Sequence, residues 1–214
     1  MKIITIVLSG GKSSRMGKDK ALLTIDGETL LSRTCRIGLA ISDQVIVVAK
    51  SQEQYDLAIA KNLENPQNIQ LLIDQQFAGA LIGFWQGLQA ISNPPDWILL
   101  MACDLPNLQA DILQSWAKNL AELPKTAIAV LPRYQDESAQ KQWEPLCGFY
   151  RWQCRNSLTQ FMESGGRSFQ KWLSNQEVVE IGNVPLAMLN NCNTPSDFQA
   201  IQSPNQEASQ EAHP

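Results

Sequence analysis

The amino-acid sequence predicts a Rossmann-like three-layer α/β/α sandwich, in which a mostly parallel sheet lies between helices and the carboxyl-terminal part is less regular. Short apolar, β-branched runs alternate along the chain with longer segments of helical period. One run, residues 97–102, is apolar at every position, which is typical of a central strand buried on both faces. A chain of 214 residues without internal repeats or a Pro-, Gly- or Ser-rich linker is expected to form a single domain.

The elements follow in a regular order through the first 131 residues. Residues 2–8 are apolar and β-branched, so they predict the first strand, and residues 28–40 place apolar side chains at helical spacing and predict the first helix. The same two patterns recur downstream. They predict strands over residues 44–49, 69–73, 97–102 and 127–131, and helices over residues 52–61, 81–91 and 108–123.

The last third of the chain has weaker patterns. Residues 133–143 are polar and predict a loop, and residues 145–150 predict a strand that pairs differently from the others. The stretch 194–197, Thr-Pro-Ser-Asp, predicts an N-cap, a proline in the first turn and an acidic third helical residue, which begin a last helix through residue 201. Residues 202–214 are polar without apolar periodicity and are expected to form a disordered tail.

Composition and charge narrow the possible functions. A net charge of −4 gives no general attraction to nucleic acid, and no apolar run is long enough to span a bilayer. The amino terminus lacks the pattern of a secretory signal, so a cytoplasmic protein that binds neither nucleic acid nor membrane is expected. The five scattered cysteines and the one histidine, at residue 213, argue against a disulfide framework and against a zinc site.

A glycine-rich turn follows the first predicted strand. The N–H groups of Gly10 and Gly11 can approach an anion closely, and four Lys or Arg side chains within residues 12–20 supply the opposing charge. The glycine spacing fits neither a Walker A loop, which would need glycine at Ile6, nor a dinucleotide fingerprint, which would need one at Lys12. The turn therefore predicts a phosphate-binding loop, with a solvated basic surface turn as the alternative.

Two aspartates directly follow predicted strands. Asp104 lies in the stretch 103–106, Cys-Asp-Leu-Pro, after the most apolar strand, and Asp74 follows the strand over residues 69–73. Ligands of open α/β sheets bind beyond the carboxyl ends of the strands, where a carboxylate can hold Mg²⁺ against a triphosphate. We therefore predict Asp104 as a Mg²⁺ ligand and Asp74 as a hydrogen-bond acceptor for a nucleotide. For each, an aspartate that only closes the strand-ending turn is the alternative.

The stretch over residues 8–23, Leu-Ser-Gly-Gly-x3-Arg-Met-Gly-x-Asp-Lys-x-Leu-Leu, resembles the signature of the molybdenum cofactor guanylyltransferases. This family is a branch of the nucleotidyltransferases with a Rossmann-like domain. Its Cys-Asp-x-Pro metal-binding motif matches residues 103–106. Related cytidylyl- and sugar-nucleotide enzymes commonly carry Ala-Ala-Gly, so the double glycine Gly10-Gly11 favours a guanine base.

The resemblance covers residues 2–201 and implies a reaction. GMP is transferred from GTP, with Mg²⁺, to the terminal phosphate of molybdenum-molybdopterin, which gives molybdopterin guanine dinucleotide cofactor and pyrophosphate. One nucleotidyltransferase domain over residues 1–201 is then divided into a nucleotide-binding half, residues 1–110, and an acceptor-binding half, residues 111–201. Molybdopterin is the small-molecule acceptor, and molybdoenzymes or other cofactor-biosynthesis proteins are candidate partners.

The resemblance also implies roles for individual residues. The implied catalytic residues are Arg15, Lys20 and Asp104, of which Asp104 is the metal ligand. The implied GTP-binding residues are Leu8, Ser9, Gly10, Gly11, Lys20, Asp74 and Asp104. The implied molybdopterin-binding residues, in later stretches that resemble those around the family's acceptor, are Arg167, Asn191 and Asn193.

Some positions depart from the family pattern, and two other functions are open. Ser9 and Ala80 stand where the family usually has alanine and proline, and near Val48 the chain lacks the asparagine that members offer after the second strand. Arg167 and the two asparagines can instead serve in turns and helix caps. The alternative functions are a cytidylyltransferase acting on molybdopterin or a similar phosphate, and a silent module that binds GTP or the cofactor without transfer.

Overall fold

The computed structural model describes residues 1–9, 19–74, 79–135, 141–192 and 194–202. The strands within these ranges are β1 (Ile3–Leu8), β2 (Thr24–Ile25), β3 (Glu28–Thr29), β4 (Val45–Ala49), β5 (Ile69–Ile73), β6 (Trp97–Ala102), β7 (Ala129–Leu131), β8 (Arg133–Gln135), β9 (Lys141–Trp143), β10 (Cys147–Arg151) and β11 (Val178–Glu180). The helices are α1 (Leu30–Leu39), α2 (Gln52–Asn62), α3 (Ala80–Gln89), α4 (Ala110–Lys118), α5 (Cys154–Glu163), α6 (Phe169–Leu173) and α7 (Pro195–Gln202).

One sheet organises the described part of the chain, with seven strands in the order β11-β7-β10-β6-β1-β4-β5. β1 is parallel to β4 and β6, β4 to β5, and β7 to β11, whereas β10 is antiparallel to both β6 and β7. The prediction that the strand near residues 145–150 pairs differently is confirmed. The chain runs outward from β1 to β4 and β5 and then returns to β6 on the other side of β1, so the strand order reverses between β1 and β6.

Helices cover both faces of the sheet, which confirms the α/β/α sandwich. On one face α1, α2 and α4 pack against the sheet, and their core side chains include Tyr55 and Leu113. On the other face α3, α5 and α6 do so, and their core side chains include Phe84 and Trp172. β6 is buried at all six positions because it lies between these two layers, as its apolar sequence predicts.

Glycines allow α3 to lie close against β1. A Cβ atom at Gly87 would stand 2.9 Å from Cγ2 of Ile6, and one at Gly83 would stand 3.3 Å from Cδ2 of Leu8. Gly79, which precedes the helix, has a φ of +104°, a conformation that side chains with a Cβ rarely adopt. The glycines of this segment therefore set both the entry into α3 and its contact with the carboxyl-terminal half of β1.

The prediction of a loop over residues 133–143 is wrong. β8 and β9 form a two-stranded antiparallel sheet in which Arg133 lies opposite Trp143. The Arg133 guanidinium lies 3.8 Å from the centroid of the Trp143 ring, and its Nε lies 3.3 Å from a carboxylate oxygen of Glu180. Cation–π and charge contacts stabilise these strands in place of an apolar face. The prediction of strands relied on alternating apolar residues, so it missed this pair. Residues 136–140 lie outside the described residues.

Two predicted helices are shorter than expected. The helix expected over residues 28–40 begins at Leu30, because Glu28 and Thr29 pair with β2 and the Thr29 hydroxyl accepts a hydrogen bond from the N–H of Ser32 at 3.1 Å. The segment expected as one helix over residues 108–123 divides into α4 and a 3₁₀ turn, Leu120–Glu122. Capping side chains and terminal 3₁₀ turns change helix ends in ways that apolar spacing does not record.

The predicted cap of the last helix is confirmed. The N–H of Asp197 donates to the Thr194 hydroxyl at 3.2 Å, and the Thr194 N–H donates to the Asp197 carboxylate at 2.7 Å. This reciprocal pair is a capping box with aspartate in the acidic position. α7 ends at Gln202, one residue later than expected, and the rest of the predicted tail lies outside the described residues. No helix in the described ranges has the length and apolar character needed to cross a membrane.

Candidate active site

The carboxyl ends of β1, β4 and β6 are joined by backbone hydrogen bonds. The N–H of Cys103 donates to the Leu8 carbonyl oxygen at 3.1 Å, and the N–H of Ser9 donates to the Val48 carbonyl oxygen at 3.0 Å. Ser9 and Asp104, which follow β1 and β6, therefore lie where the strand order reverses. Ligands of open α/β sheets bind in the crevice at this kind of position.

The side chain of Ser9 is buried at this edge, with 3% of the residue exposed. Its hydroxyl has no hydrogen-bond partner among the described residues. Residues 10–18, which follow it, lie outside the described residues, and they include three predicted site residues, Gly10, Gly11 and Arg15.

Asp104 lies in the turn after β6 and is largely enclosed. Its carbonyl oxygen accepts a hydrogen bond from the N–H of Cys192 at 2.8 Å, which ties the turn to the segment before α7. Burial raises the pKa of the Asp104 carboxyl above its ordinary value, and the positive charge of Lys20 acts in the opposite direction. Because burial makes this carboxylate costly to ionise, a positively charged partner would stabilise its ionised form. Carboxyl groups in such an environment are typical of metal and phosphate sites.

Lys20 begins a 3₁₀ turn, Lys20–Leu22, that follows the predicted phosphate-binding loop. Asp19 caps this turn: its Oδ1 accepts a hydrogen bond from the N–H of Ala21 at 3.1 Å. The positive charge of Lys20 is near enough to Asp104 to favour the ionised form of its carboxyl. Two residues that are far apart in the sequence, and that the sequence predictions assigned to one site, are thus near enough for this electrostatic effect.

Glu144 is an acidic group near Asp104 to which the sequence predictions gave no role of its own, although it begins a stretch that resembles those around the family's acceptor. Burial raises the pKa of its carboxyl to about 7, the N–H of Leu146 lowers it by donating to Oε1 at 3.1 Å, and the charge of Asp104 raises it. The Leu146 carbonyl oxygen accepts a hydrogen bond from the N–H of Ala102, the last residue of β6. The position beside Asp104 depends on the antiparallel pairing of β10 with β6, which residue type alone does not reveal.

Asp74 lies at the same edge of the sheet, after β5. It is buried, its N–H donates to the Ala49 carbonyl oxygen at 2.8 Å, and its Oδ1 accepts a hydrogen bond from Gln86 Nε2 at 3.2 Å. Gln86 belongs to α3, so the carboxylate is held between the sheet and that helix. β4 lies between β5 and β1, so along this edge of the sheet Asp74 is separated from Asp104 by the ends of β4 and β1.

The predicted acceptor residues lie in different places. Arg167 is exposed and donates through Nη1 to the carbonyl oxygens of Met162 and Gly166, so its visible bonds close the turn between α5 and α6. Asn191 is exposed and precedes Cys192, whose N–H binds the Asp104 carbonyl oxygen, so this asparagine is close in sequence to the site. Asn193 lies outside the described residues.

The donor set at Asp104 suits Mg²⁺ better than a metal held by protein alone. Among the described residues there is no group of three or more His, Cys, Asp or Glu side chains that could hold a metal ion. Mg²⁺ prefers oxygen ligands and is commonly held by one or two carboxylates together with substrate phosphates. Asp104, beside Lys20, offers such a carboxylate where a triphosphate would lie.

This fold and this site define a class: an α/β enzyme that binds a phosphate-bearing ligand at the switch point of a mostly parallel sheet. A family model described as "MobA-like NTP transferase domain" matches residues 5–179. A relative from Nostoc sp. strain PCC 7120 named "Probable molybdenum cofactor guanylyltransferase" is 43% identical, over 94% of this chain and 90% of its own length. A relative of the same name from Synechococcus elongatus is 38% identical, over 94% of this chain and 99% of its own. The chain belongs to the MobA-like nucleotidyltransferases, in the family of the molybdenum cofactor guanylyltransferases.

Solved structures agree with the fold. The crystal structure of molybdopterin-guanine dinucleotide biosynthesis protein A from Archaeoglobus fulgidus superimposes with a TM-score of 0.70 at 19% identity, over 93% of this chain and 96% of that one. A 4-diphosphocytidyl-2C-methyl-D-erythritol synthase from Anaerococcus prevotii superimposes with a TM-score of 0.69 at 14% identity, over 94% of each chain. The family and the enzyme class inferred from residues 8–23 are therefore confirmed, whereas the fold is shared with a cytidylyl enzyme and does not by itself select the base.

Proposed function

We propose that this protein transfers GMP from GTP to the terminal phosphate of molybdenum-molybdopterin, forming molybdopterin guanine dinucleotide cofactor and releasing pyrophosphate. The observation that carries the proposal is the place of Asp104, which follows β6 where the strand order reverses and lies within range of the positive charge of Lys20. The relatives named as molybdenum cofactor guanylyltransferases, at 38% and 43% identity over most of this chain, support guanine as the base and molybdopterin as the acceptor.

The reaction is a direct displacement at phosphorus. An oxygen of the acceptor phosphate forms a bond to the α-phosphorus of GTP, and the bond from that phosphorus to the oxygen bridging the α- and β-phosphates breaks. The electron pair of the broken bond leaves with pyrophosphate, so negative charge grows on the phosphate oxygens. The Lys20 ammonium group neutralises this charge, and the enclosed setting of Asp104 strengthens electrostatic interactions across the site.

Asp104 is the residue that we assign to hold Mg²⁺. Bound there, Mg²⁺ would supply positive charge to the phosphate oxygens of the nucleotide. The carboxylate must be ionised for this role, and Lys20 favours the ionised form by lowering the pKa that burial raises.

The other assignments extend along the same edge. We assign GTP binding to Leu8, Ser9, Gly10, Gly11 and Asp74 and acceptor binding to Arg167, Asn191 and Asn193. Arg15 is assigned a catalytic role with Lys20, as a positive charge for the phosphate oxygens. In this arrangement residues 1–110 bind the nucleotide, residues 111–201 bind the acceptor, and residues 202–214 form a tail without a role in the reaction. We expect the reaction to occur in the cytoplasm and the product to pass to molybdoenzymes or to other cofactor-biosynthesis proteins.

Pyrophosphate release by the purified protein with Mg²⁺ and molybdopterin tests the base and the reaction together, with GTP, CTP, ATP and UTP compared at equal concentration. We expect release with GTP that depends on molybdopterin and is much slower with the other three nucleotides. Preference for CTP would overturn the guanine assignment in favour of a cytidylyltransferase. GTP binding without release would overturn transfer in favour of a silent binding module.

A further inference from the structure

A buried tyrosine of α2 connects the two ends of the predicted phosphate-binding loop. Tyr55 is fully enclosed, and its hydroxyl donates a hydrogen bond to Oδ2 of Asp19 at 2.6 Å. The same hydroxyl lies 3.2 Å from the carbonyl oxygen of Ser9. Ser9 and Asp19 flank residues 10–18 in the sequence, so a single side-chain oxygen from another element joins both anchors of that segment.

The bond from Tyr55 leaves the Asp19 carboxylate with a defined orientation. One carboxylate oxygen, Oδ2, accepts from Tyr55, and the other, Oδ1, accepts from the N–H of Ala21. The Asp19 carbonyl oxygen also accepts a hydrogen bond from the N–H of Leu22 at 3.1 Å. Lys20 lies between Asp19 and Ala21, so its backbone is held on both sides by groups that depend on Asp19.

Two observations indicate that the hydrogen bond from Tyr55 to Asp19 is not needed merely to hold α2 in place. Burial, together with the hydrogen bond to Asp19, raises the pKa of the Tyr55 hydroxyl far above its ordinary value, so the hydroxyl remains a donor. α2 is independently fixed to α1, because the Ser32 hydroxyl donates to the Ala58 carbonyl oxygen at 2.9 Å and aliphatic side chains of α2 also enter the core. Phenylalanine keeps the ring that fills the core, so the hydroxyl contributes only its contacts with Asp19 and Ser9.

We propose that Tyr55 is a positioning residue for the transfer reaction: through Asp19 it fixes Lys20 near Asp104, and it holds Ser9 and Asp19 at a set separation. This inference rests on the proposed function, since it assigns Lys20 to the phosphates of GTP. A lysine held in one orientation before the substrate binds loses little freedom in the transition state, which is the basis of preorganised catalysis.

The test is a set of variants that removes one group at a time. Tyr55→Phe deletes only the hydroxyl, Lys20→Met deletes the charge, and the double variant measures whether the two act together. Ser32→Ala is the matched control, because it deletes a buried hydroxyl that bonds to the same helix without touching Asp19. For each variant kcat and KM for GTP are measured with molybdopterin and Mg²⁺, and the melting temperature is recorded.

We expect Tyr55→Phe to lower kcat about tenfold or more, with a melting temperature shifted no further than that of Ser32→Ala, which keeps its activity. The double variant should be no slower than Lys20→Met alone, because Tyr55 acts through that lysine. A Tyr55→Phe enzyme within about twofold of wild type, or a double variant slowed by the product of the two single effects, would overturn the inference.

A failure of the proposed function would give a different experimental result from a failure of the positioning role. If the wild-type protein releases no pyrophosphate with any nucleotide, transfer is refuted, and the positioning role is then measured by calorimetric titration of the same variants with GTP and Mg²⁺. Weaker GTP binding by Tyr55→Phe that does not add to the effect of Lys20→Met supports the positioning role. Unchanged or independently additive binding contradicts it.

Discussion

Among single residues, Asp104 is the one to which the proposed mechanism assigns Mg²⁺, and it follows β6 within range of the positive charge of Lys20. Asp104→Asn keeps the size of the side chain and leaves the backbone bond to Cys192 in place, but it removes the charge that would hold Mg²⁺. We expect turnover with GTP to fall by about 100-fold or more while the melting temperature changes little. Rates at saturating GTP over a range of Mg²⁺ concentrations measure this effect.

The control for Asp104→Asn is Asp26→Asn. Asp26 is exposed in the turn between β2 and β3 and has a φ of +51°, a conformation that asparagine also adopts readily. The same chemical change there should leave the rate unaltered. An Asp104→Asn enzyme that retained most of its Mg²⁺-dependent rate would remove Asp104 from the metal site.

Glu144 should make the stability of the fold depend on pH. Its pKa is raised from 4.5 to about 7, so between these values the folded protein retains a proton that the unfolded chain has lost. The stabilisation from this difference is complete below pH 4.5, is lost as the pH rises to about 7, and changes no further above it. The change amounts to at most about 3 kcal/mol in the free energy of unfolding.

Glu144→Gln tests this dependence because glutamine keeps an oxygen for the N–H of Leu146 and cannot ionise. Urea unfolding at about pH 5 and about pH 8 should show the variant gaining stability relative to wild type at the higher pH. An identical pH dependence in the two proteins would mean that Glu144 titrates near its ordinary pKa.

At the level of elements, β10 lies between β6 and β7 with little room on one of its faces. A Cβ atom at Gly148 would stand 2.5 Å from Cδ2 of Leu131 and 2.6 Å from the backbone carbonyl oxygen of Val130. Because a backbone atom cannot move aside cheaply, Gly148→Ala should lower the free energy of unfolding by about 1–3 kcal/mol. Gly182→Ala, where a Cβ meets nothing within 4 Å, is the control and should change it little. Equal unfolding midpoints in urea for the two variants would contradict this packing.

An element could be predicted from the sequence where its own apolar pattern, rather than contacts with other segments, determines where it forms. β5 and β6 have the predicted bounds, because their apolar runs match the buried layer of the sheet and end where polar residues begin. The β8–β9 pair could not be recognised from apolar alternation, because Arg133 of β8 contacts Trp143 of β9 and Glu180 of β11 through its charge. Prediction failed where an element depends on contacts with other segments.

The same distinction applies to the candidate site. Lys20 and Asp104 were predicted from local motifs, because a cationic side chain after a glycine turn and a carboxylate after a strand suit phosphate and metal binding. Glu144 and Tyr55 were not, because a glutamate before a proline and a tyrosine in a helix carry no local sign of a role. Their positions follow from the antiparallel pairing of β10 and from the packing of α2 beside β1.

Across the whole molecule, the two predicted halves of the chain meet at one edge of the sheet. Lys20 and Asp104 come from residues 1–110, whereas Glu144 and Cys192 come from residues 111–201 and approach Asp104 through β10 and the segment before α7. A transfer between two phosphate-bearing substrates needs both to be held at one point. In the proposed transfer, the return of residues 111–201 to the switch point would bring the two substrates together within one chain.

The most direct test of the proposed transfer follows the α-phosphorus of GTP. The purified protein is incubated with Mg²⁺, molybdopterin and GTP labelled at the α-phosphorus, and the products are separated and identified by mass. We predict that the label appears in a compound containing both molybdopterin and GMP, that unlabelled pyrophosphate is released in equal amount, and that Asp104→Asn forms both about 100-fold or more slowly. Label that remained in GTP, or that appeared only in free GMP, would contradict the proposal that this protein joins the nucleotide to the cofactor.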